Sequence, residues 1–108
     1  MLFRSTYTAL EGRLPALHER FKNHTMKLFE KHGMRNEMYW IPAEGDRKND
    51  TLIYIVSHES MDAAKKSWDA FRNDPEWHKV RDASEKDGKI VAKVDAVYMN
   101  LTDYSPKH

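Results

Sequence analysis

The stretch LPALHERFKNHTMKLFEKHG, Leu14 to Gly33, carries the longest helical pattern in the chain. At about 100° per residue, Leu14, Leu17, Phe21, Leu28 and Phe29 gather on one side, with Thr25 among them. The charged residues between Arg13 and Lys31 fall elsewhere, so the spacing predicts one long helix with one buried face. Pro15 suits the first turn, where a missing N–H costs nothing. Gly33 suits the position just past the end, where a left-handed backbone is cheapest. Lys31 and His32 in the last turn offset the helix dipole. His18 and His32 lie near the centre line of the apolar stripe, and His24 lies at its edge.

Working outward, Leu2 to Ala9 is rich in Phe, Thr and Tyr and reads as a first strand. After Gly33, Met34 to Ile41 reads as a second strand, ended by Pro42. AEGDRKND, residues 43–50, is a polar hairpin loop, and TLIYIVS, residues 51–57, is the clearest strand. Ser60 is placed to cap a helix bearing Met61, Ala64, Trp68 and Phe71. Asp74-Pro75-Glu76 restarts a shorter helix with Trp77 and Val80. Lys89 to Leu101 alternates as a last strand. Residues 1–101 thus form a single domain, and residues 102–108 form a polar tail.

The order β-α-β-β-α-β, with its second helix in two pieces, is the split βαβ pattern of an α+β ferredoxin-like fold. It predicts a four-stranded antiparallel sheet with the helices on one face. Leu52 to Val56 is apolar without a break, and Met38 to Ile41 is apolar at both parities. A bare sheet face with that character would be a large exposed apolar patch. Two such sheets packed face to face bury it, so a homodimer through the open sheet face is expected.

Composition narrows the function classes. The net charge of +1 and the mixing of signs leave no basic block for nucleic acid or a membrane surface. The absence of cysteine excludes disulfides and thiolate chemistry. No His-x-x-x-His pair, phosphate-cradling Gly-rich loop or Gly-x-Ser-x-Gly elbow occurs, so no metal or bound cofactor is expected. The N-terminal run lacks the apolar core of a signal peptide, and the expected location is the cytoplasm. With three tryptophans and 11% aromatic residues, rings must either fill the core or line a cleft between helices and sheet. Cleft candidates are Arg4, Tyr7, Trp40, Tyr54, Trp68 and Trp77, with a small hydrophobic or aromatic molecule as ligand. His24 is the best candidate for a catalytic base, because a histidine titrates near neutrality.

Several segments in fixed order resemble a NIPSNAP domain. They are Phe3-Arg4-Ser5-Thr6-Tyr7-Thr8 followed by Glu11-Gly12-Arg13, the His24 helix ending His32-Gly33-Met34, the Trp40 strand, and Asn73-Asp74-Pro75-Glu76-Trp77. The resemblance runs from about Leu2 to Met99. Ser5 stands between Arg4 and Thr6-Tyr7-Thr8, where the family pattern runs Arg-Thr-Tyr-Thr. The resemblance implies a dimeric α+β barrel and supplies no catalytic residue set. The wider barrel superfamily includes small cofactor-free monooxygenases, and that analogy concerns the fold. Two functions stay open: a dimeric binding module without catalysis, and a cofactor-free enzyme acting on a small hydrophobic or aromatic substrate.

Overall fold

The computed structural model describes residues 1–106. Four strands, β1 (Leu2–Ala9), β2 (Arg35–Trp40), β3 (Thr51–Ser57) and β4 (Val91–Met99), form one antiparallel sheet in the order β2-β3-β1-β4. Four α-helical segments, α1 (Leu14–Arg20), α2 (Met26–Lys31), α3 (Met61–Arg72) and α4 (Pro75–Ser84), complete the α+β ferredoxin-like arrangement. No helix among the described residues is long and apolar enough to cross a membrane.

The helix expected over residues 14–33 contains one departure. Between α1 and α2, Phe21–Thr25 is a π-helical turn, and the Met26 N–H reaches back to the Phe21 carbonyl. Such a turn acts as a one-residue insertion. Phe21 and Phe29 are eight positions apart, about 80° out of line in a regular helix. The extra residue brings them onto the same face, with ring centroids 6.0 Å apart. Both rings then pack on Tyr54 of β3, at 5.2 and 5.8 Å. Thr25 Oγ1 fills the loosened ladder by donating to the Arg20 carbonyl at 3.3 Å.

A second irregularity sets the faces of β2. Asn36 pairs with Val56, but Met38 pairs with Ile55, so Glu37 is an extra residue bulged out of the ladder. In unbroken register Trp40 would stand opposite Leu52 and face the helices. The bulge instead sets Tyr39 opposite Tyr54 and Trp40 opposite Ile53. Tyr39 therefore stacks on Tyr54, with centroids 5.2 Å apart and planes 20° apart. Trp40 turns to the open face.

The core lies between helices and sheet, built from Leu17, Phe21, Leu28, Phe29, Leu52, Tyr54, Val56, Phe71 and Ile90. Among the described residues nothing covers the other face. Met38 is 59% exposed and Trp40 and Val97 are each 42% exposed, with half-buried Ile53 and Ile55 between them. β3 is thus fully buried on its helix side only. Beyond β4, Leu101 and Tyr104 are exposed, and the last two residues of the expected tail lie outside the described residues.

The caps read from sequence are in place. Ser60 Oγ accepts the Ala63 N–H at 3.0 Å, and Asp74 Oδ1 accepts the Glu76 N–H at 2.8 Å. Asp74 does more than cap α4. Its Oδ2 also accepts from Lys31 Nζ at 2.8 Å and from His32 Nε2 at 2.7 Å, tying the end of α2 to the α3–α4 corner. The Lys31 ammonium, then His32 and the Glu76 amide, hold the Asp74 carboxyl well below the usual carboxylate range. The unfolded carboxyl titrates near pH 4. A depressed folded value means its stabilising contribution is complete above that pH and is lost as pH falls below it. Thermal unfolding between pH 6 and pH 3 checks this. Wild type should lose more melting temperature on acidification than Asp74→Asn, which should start several degrees lower at pH 6.

Candidate functional site

Strand register decides which side chains meet under the helices. Phe3 pairs with Val56 and Tyr98, Ser5 with Tyr54 and Ala96, and Tyr7 with Leu52 and Val94. With period two, these residues all point to the helix side. The helices cover β2, β3 and β1 but leave the inward face of β4 open, where Val94 is 50% exposed and Ala96 is exposed. Between β4 and the last turns of α3 a cleft of about 210 Å³ remains. Its floor is Phe3, Ser5, Tyr7 and Tyr54, and its walls are Trp68 and Arg72 on one side and Val94 and Tyr98 on the other.

The walls are mostly rings. Phe3 lies 5.0 Å from Trp68 and 4.9 Å from Tyr98, centroid to centroid. Tyr7 and Tyr54 are 5.6 Å apart, and the Tyr54 hydroxyl donates to the Tyr7 hydroxyl across 3.5 Å. His58, next after β3, packs behind these rings, 5.9 Å from Trp68 and 6.2 Å from both Phe3 and Tyr98. Two lining residues carry buried polar atoms with no hydrogen-bond partner among the described residues, Ser5 Oγ and Trp68 Nε1. Both ring nitrogens of His58 are in the same condition. Buried polar atoms are ordinarily paired, and an indole N–H can only donate.

Electrostatics make the cleft a set of neutral donors. Burial pushes the Tyr54 phenol well above its ordinary value, with Tyr7 adding to the effect and the nearby Ser5 hydroxyl opposing it. Burial also raises Tyr7, opposed by its hydrogen bond to Tyr54 and by the nearby Arg20 guanidinium. Both phenols are protonated at neutral pH. Burial, and then the N-terminal ammonium, lower the His58 imidazole, which is therefore neutral there. Among the described residues no carboxylate lines the cleft, and Arg72 is its one charged wall residue. The arrangement can hold a ring and donate hydrogen bonds to an acceptor on it.

Of the residues singled out from sequence, Tyr7, Tyr54 and Trp68 meet in this cleft. The structure does not bring the others there. Arg4 pairs with Ile55 and Val97 and, at even parity on β1, faces the open side. Trp40 joins that side through the Glu37 bulge. Trp77 stacks on Phe71 at 4.7 Å and carries the Arg20 guanidinium 5.2 Å from its ring, on the helix layer away from the cleft. His24 is exposed on the π-helical turn. It lines a separate groove of about 530 Å³ with Arg13, Arg20, Lys79 and Asp87, between that turn and α4. It has no line to Tyr54 and does not sit beside the sheet. His32 is taken by Asp74.

Phe3, Ser5 and Arg72 line the cleft without standing out in the sequence, whereas Tyr98 is one of the aromatic residues on the elements that flank the sheet. The parity of β1 carried the signal for Phe3 and Ser5, because both share the face of Tyr7. Among the described residues no group of three His, Cys, Asp or Glu could hold a metal ion.

The family model NIPSNAP matches residues 2–106. No curated protein matches the chain in sequence. Among solved structures, protein Atu4242 from Agrobacterium tumefaciens superposes with a TM-score of 0.81 at 18% identity, covering 98% of each chain. An uncharacterised NIPSNAP domain protein from Burkholderia xenovorans gives 0.80 at 13% identity, over 99% of this chain and 100% of that one. SnoaB, a cofactor-independent oxygenase from Streptomyces nogalater, gives 0.60 at 14% identity over 96% of both chains. At these identities the likenesses show the shared fold. With the family model spanning nearly its whole length, the chain belongs to the NIPSNAP family.

Proposed function

We propose that this NIPSNAP protein is a cytoplasmic homodimer whose β4-side cleft binds a small hydrophobic or aromatic molecule. The observation that carries the reading is the pair of unpartnered buried donors, Ser5 Oγ and Trp68 Nε1, on residues of an otherwise ring-lined cleft. Burying a polar group without a partner costs free energy, on the order of 1–3 kcal/mol. Side chains that shift to admit a ligand's acceptors to these enclosed atoms recover part of that cost. Shape is supplied by the rings, which favour a flat molecule.

The second copy belongs on the open sheet face. Met38, Trp40, Ile53, Ile55 and Val97 form an apolar surface there, flanked by Arg4 and Thr6. At about 25 cal/mol per Å², several hundred Å² of such surface contribute on the order of 10 kcal/mol before association costs.

Catalysis is the second reading. SnoaB, a protein of related fold, is a cofactor-independent oxygenase, and neutral phenols such as Tyr54 and Tyr7 can stabilise an oxyanion. Against it, the cleft has no charged acid or base, and the nearby imidazole of His58 is enclosed behind three rings. The binding reading therefore stands first.

Two measurements test these readings. Ser5→Ala removes an unpaired hydroxyl while keeping the strand, so the free protein should melt a few degrees higher. The same variant should lose several-fold in affinity for any acceptor-bearing aromatic fragment that stabilises wild type in a thermal-shift panel. A panel with no stabilising fragment, together with a lower melting temperature for the variant, would overturn the binding site. For the dimer, sedimentation at micromolar concentration should give twice the 12.8 kDa chain mass. Met38→Glu, at a position already exposed in the single chain, should give a folded monomer. Wild type sedimenting as a monomer would reject the face-to-face assembly.

A further inference from the structure

We infer that the ligand of the β4-side cleft is a small aryl carboxylate, with its ring among Phe3, Trp68 and Tyr98 and its carboxylate on Arg72. The inference rests on the cleft being a binding site and concerns what that site selects. Three observations lead to it.

The first is size. A cleft of about 210 Å³ is smaller than the pockets of about 300–1,000 Å³ that hold drug-sized ligands. One substituted ring suits it, and a fused polycycle does not.

The second is the sign of its polar groups. Trp68 can only donate, and the phenols are protonated. Arg72 stands at the rim and is the one cation in the lining. Among the described residues no Asp or Glu lines the cleft itself, and the carboxylate that meets Arg72, Asp69, lies outside it. Donors and this cation together select a ligand rich in acceptors and negative at one end.

The third is the state of Arg72. Its Nη2 donates to Asp69 Oδ1 at 2.6 Å, one helical turn back, but both side chains are largely exposed, at 62% and 70%. An exposed pair of this kind contributes little, because water screens it and ordering two long side chains costs entropy. The guanidinium can exchange that carboxylate for one on a ligand seated in the cleft, and its planar fork matches a carboxylate bidentately. Asp69 thus competes with the ligand for the rim cation. The ring then extends inward over Phe3, between Trp68 and Tyr98, and an acceptor opposite the carboxylate points toward Ser5.

The test uses the full chain and two probes of nearly equal shape, 4-hydroxybenzoate and 4-hydroxybenzamide, titrated by calorimetry at pH 7. Wild type should bind the carboxylate at least ten-fold tighter than the amide. Arg72→Gln should erase that preference by weakening the carboxylate at least ten-fold more than the amide. Asp69→Asn removes the competitor without emptying the cleft, and should tighten 4-hydroxybenzoate several-fold and leave the amide alone. Equal binding of the two probes to wild type would overturn the inference and leave the cleft standing as a site for neutral aromatics. So would an affinity for the carboxylate that neither variant moves. If neither probe binds wild type, the cleft itself fails as the binding site and the inference goes with it.

Discussion

The burial of Tyr54 is the constraint on which the other elements converge. It occupies the middle of the strand second from the edge, 1% exposed, and four rings from four different segments touch it. Tyr7 reaches it from β1, Tyr39 from β2, Phe21 from the start of the π-helical turn and Phe29 from α2. A phenol so placed must keep its hydroxyl paired, and Tyr7 is the partner that does so. Both irregularities of the backbone serve this hub. The Glu37 bulge delivers Tyr39 to it, and the π turn delivers Phe29 while keeping Phe21. Each costs local regularity, and each is offset by an aromatic contact that regular geometry would forfeit.

The fold was largely legible in the sequence because its signals are periodic. Strand alternation, the helical stripe from Leu14 to Phe29, and the caps Ser60 and Asp74 each have a local cause, and each appears in the structure within a residue or two of the expected place. The split βαβ order follows from those elements and the handedness of crossovers. The two irregularities were not legible, because each is a one-residue shift decided by distant partners. Nothing within FKNHT names it a π turn, and nothing within RNEMYW marks Glu37 as the residue to bulge. A wheel or a parity argument carried across either one misplaces what lies beyond it.

That limit explains the mixed fate of the proposed site residues. Tyr7, Tyr54 and Trp68 are close in space because no irregularity intervenes between each residue and the register of its own element. Trp40 fell on the other side of a bulge. Arg4 required only the parity of β1, which opposes it to Tyr7, so its separation from the cleft could have been read. The expected place of His24 depends on its angle on a regular helix, and the π turn and α4 together determine what surrounds it. Ser5 shows the opposite case. It is an ordinary strand serine in the sequence, and only its unpaired burial beside a ring-lined space makes it notable.

The edges of the sheet carry a separate consequence. Its free edges are β2, interrupted by the Glu37 bulge and opened by Arg35, and β4, which bears the Lys93–Asp95 ion pair at 3.6 Å. Bulges and charges on outer strands discourage the addition of further strands. An apolar surface, by contrast, lies on the open flat side. Growth into ribbons or fibres strand by strand is opposed by Arg35, Glu37, Lys93 and Asp95, while the bare face offers contact only face to face.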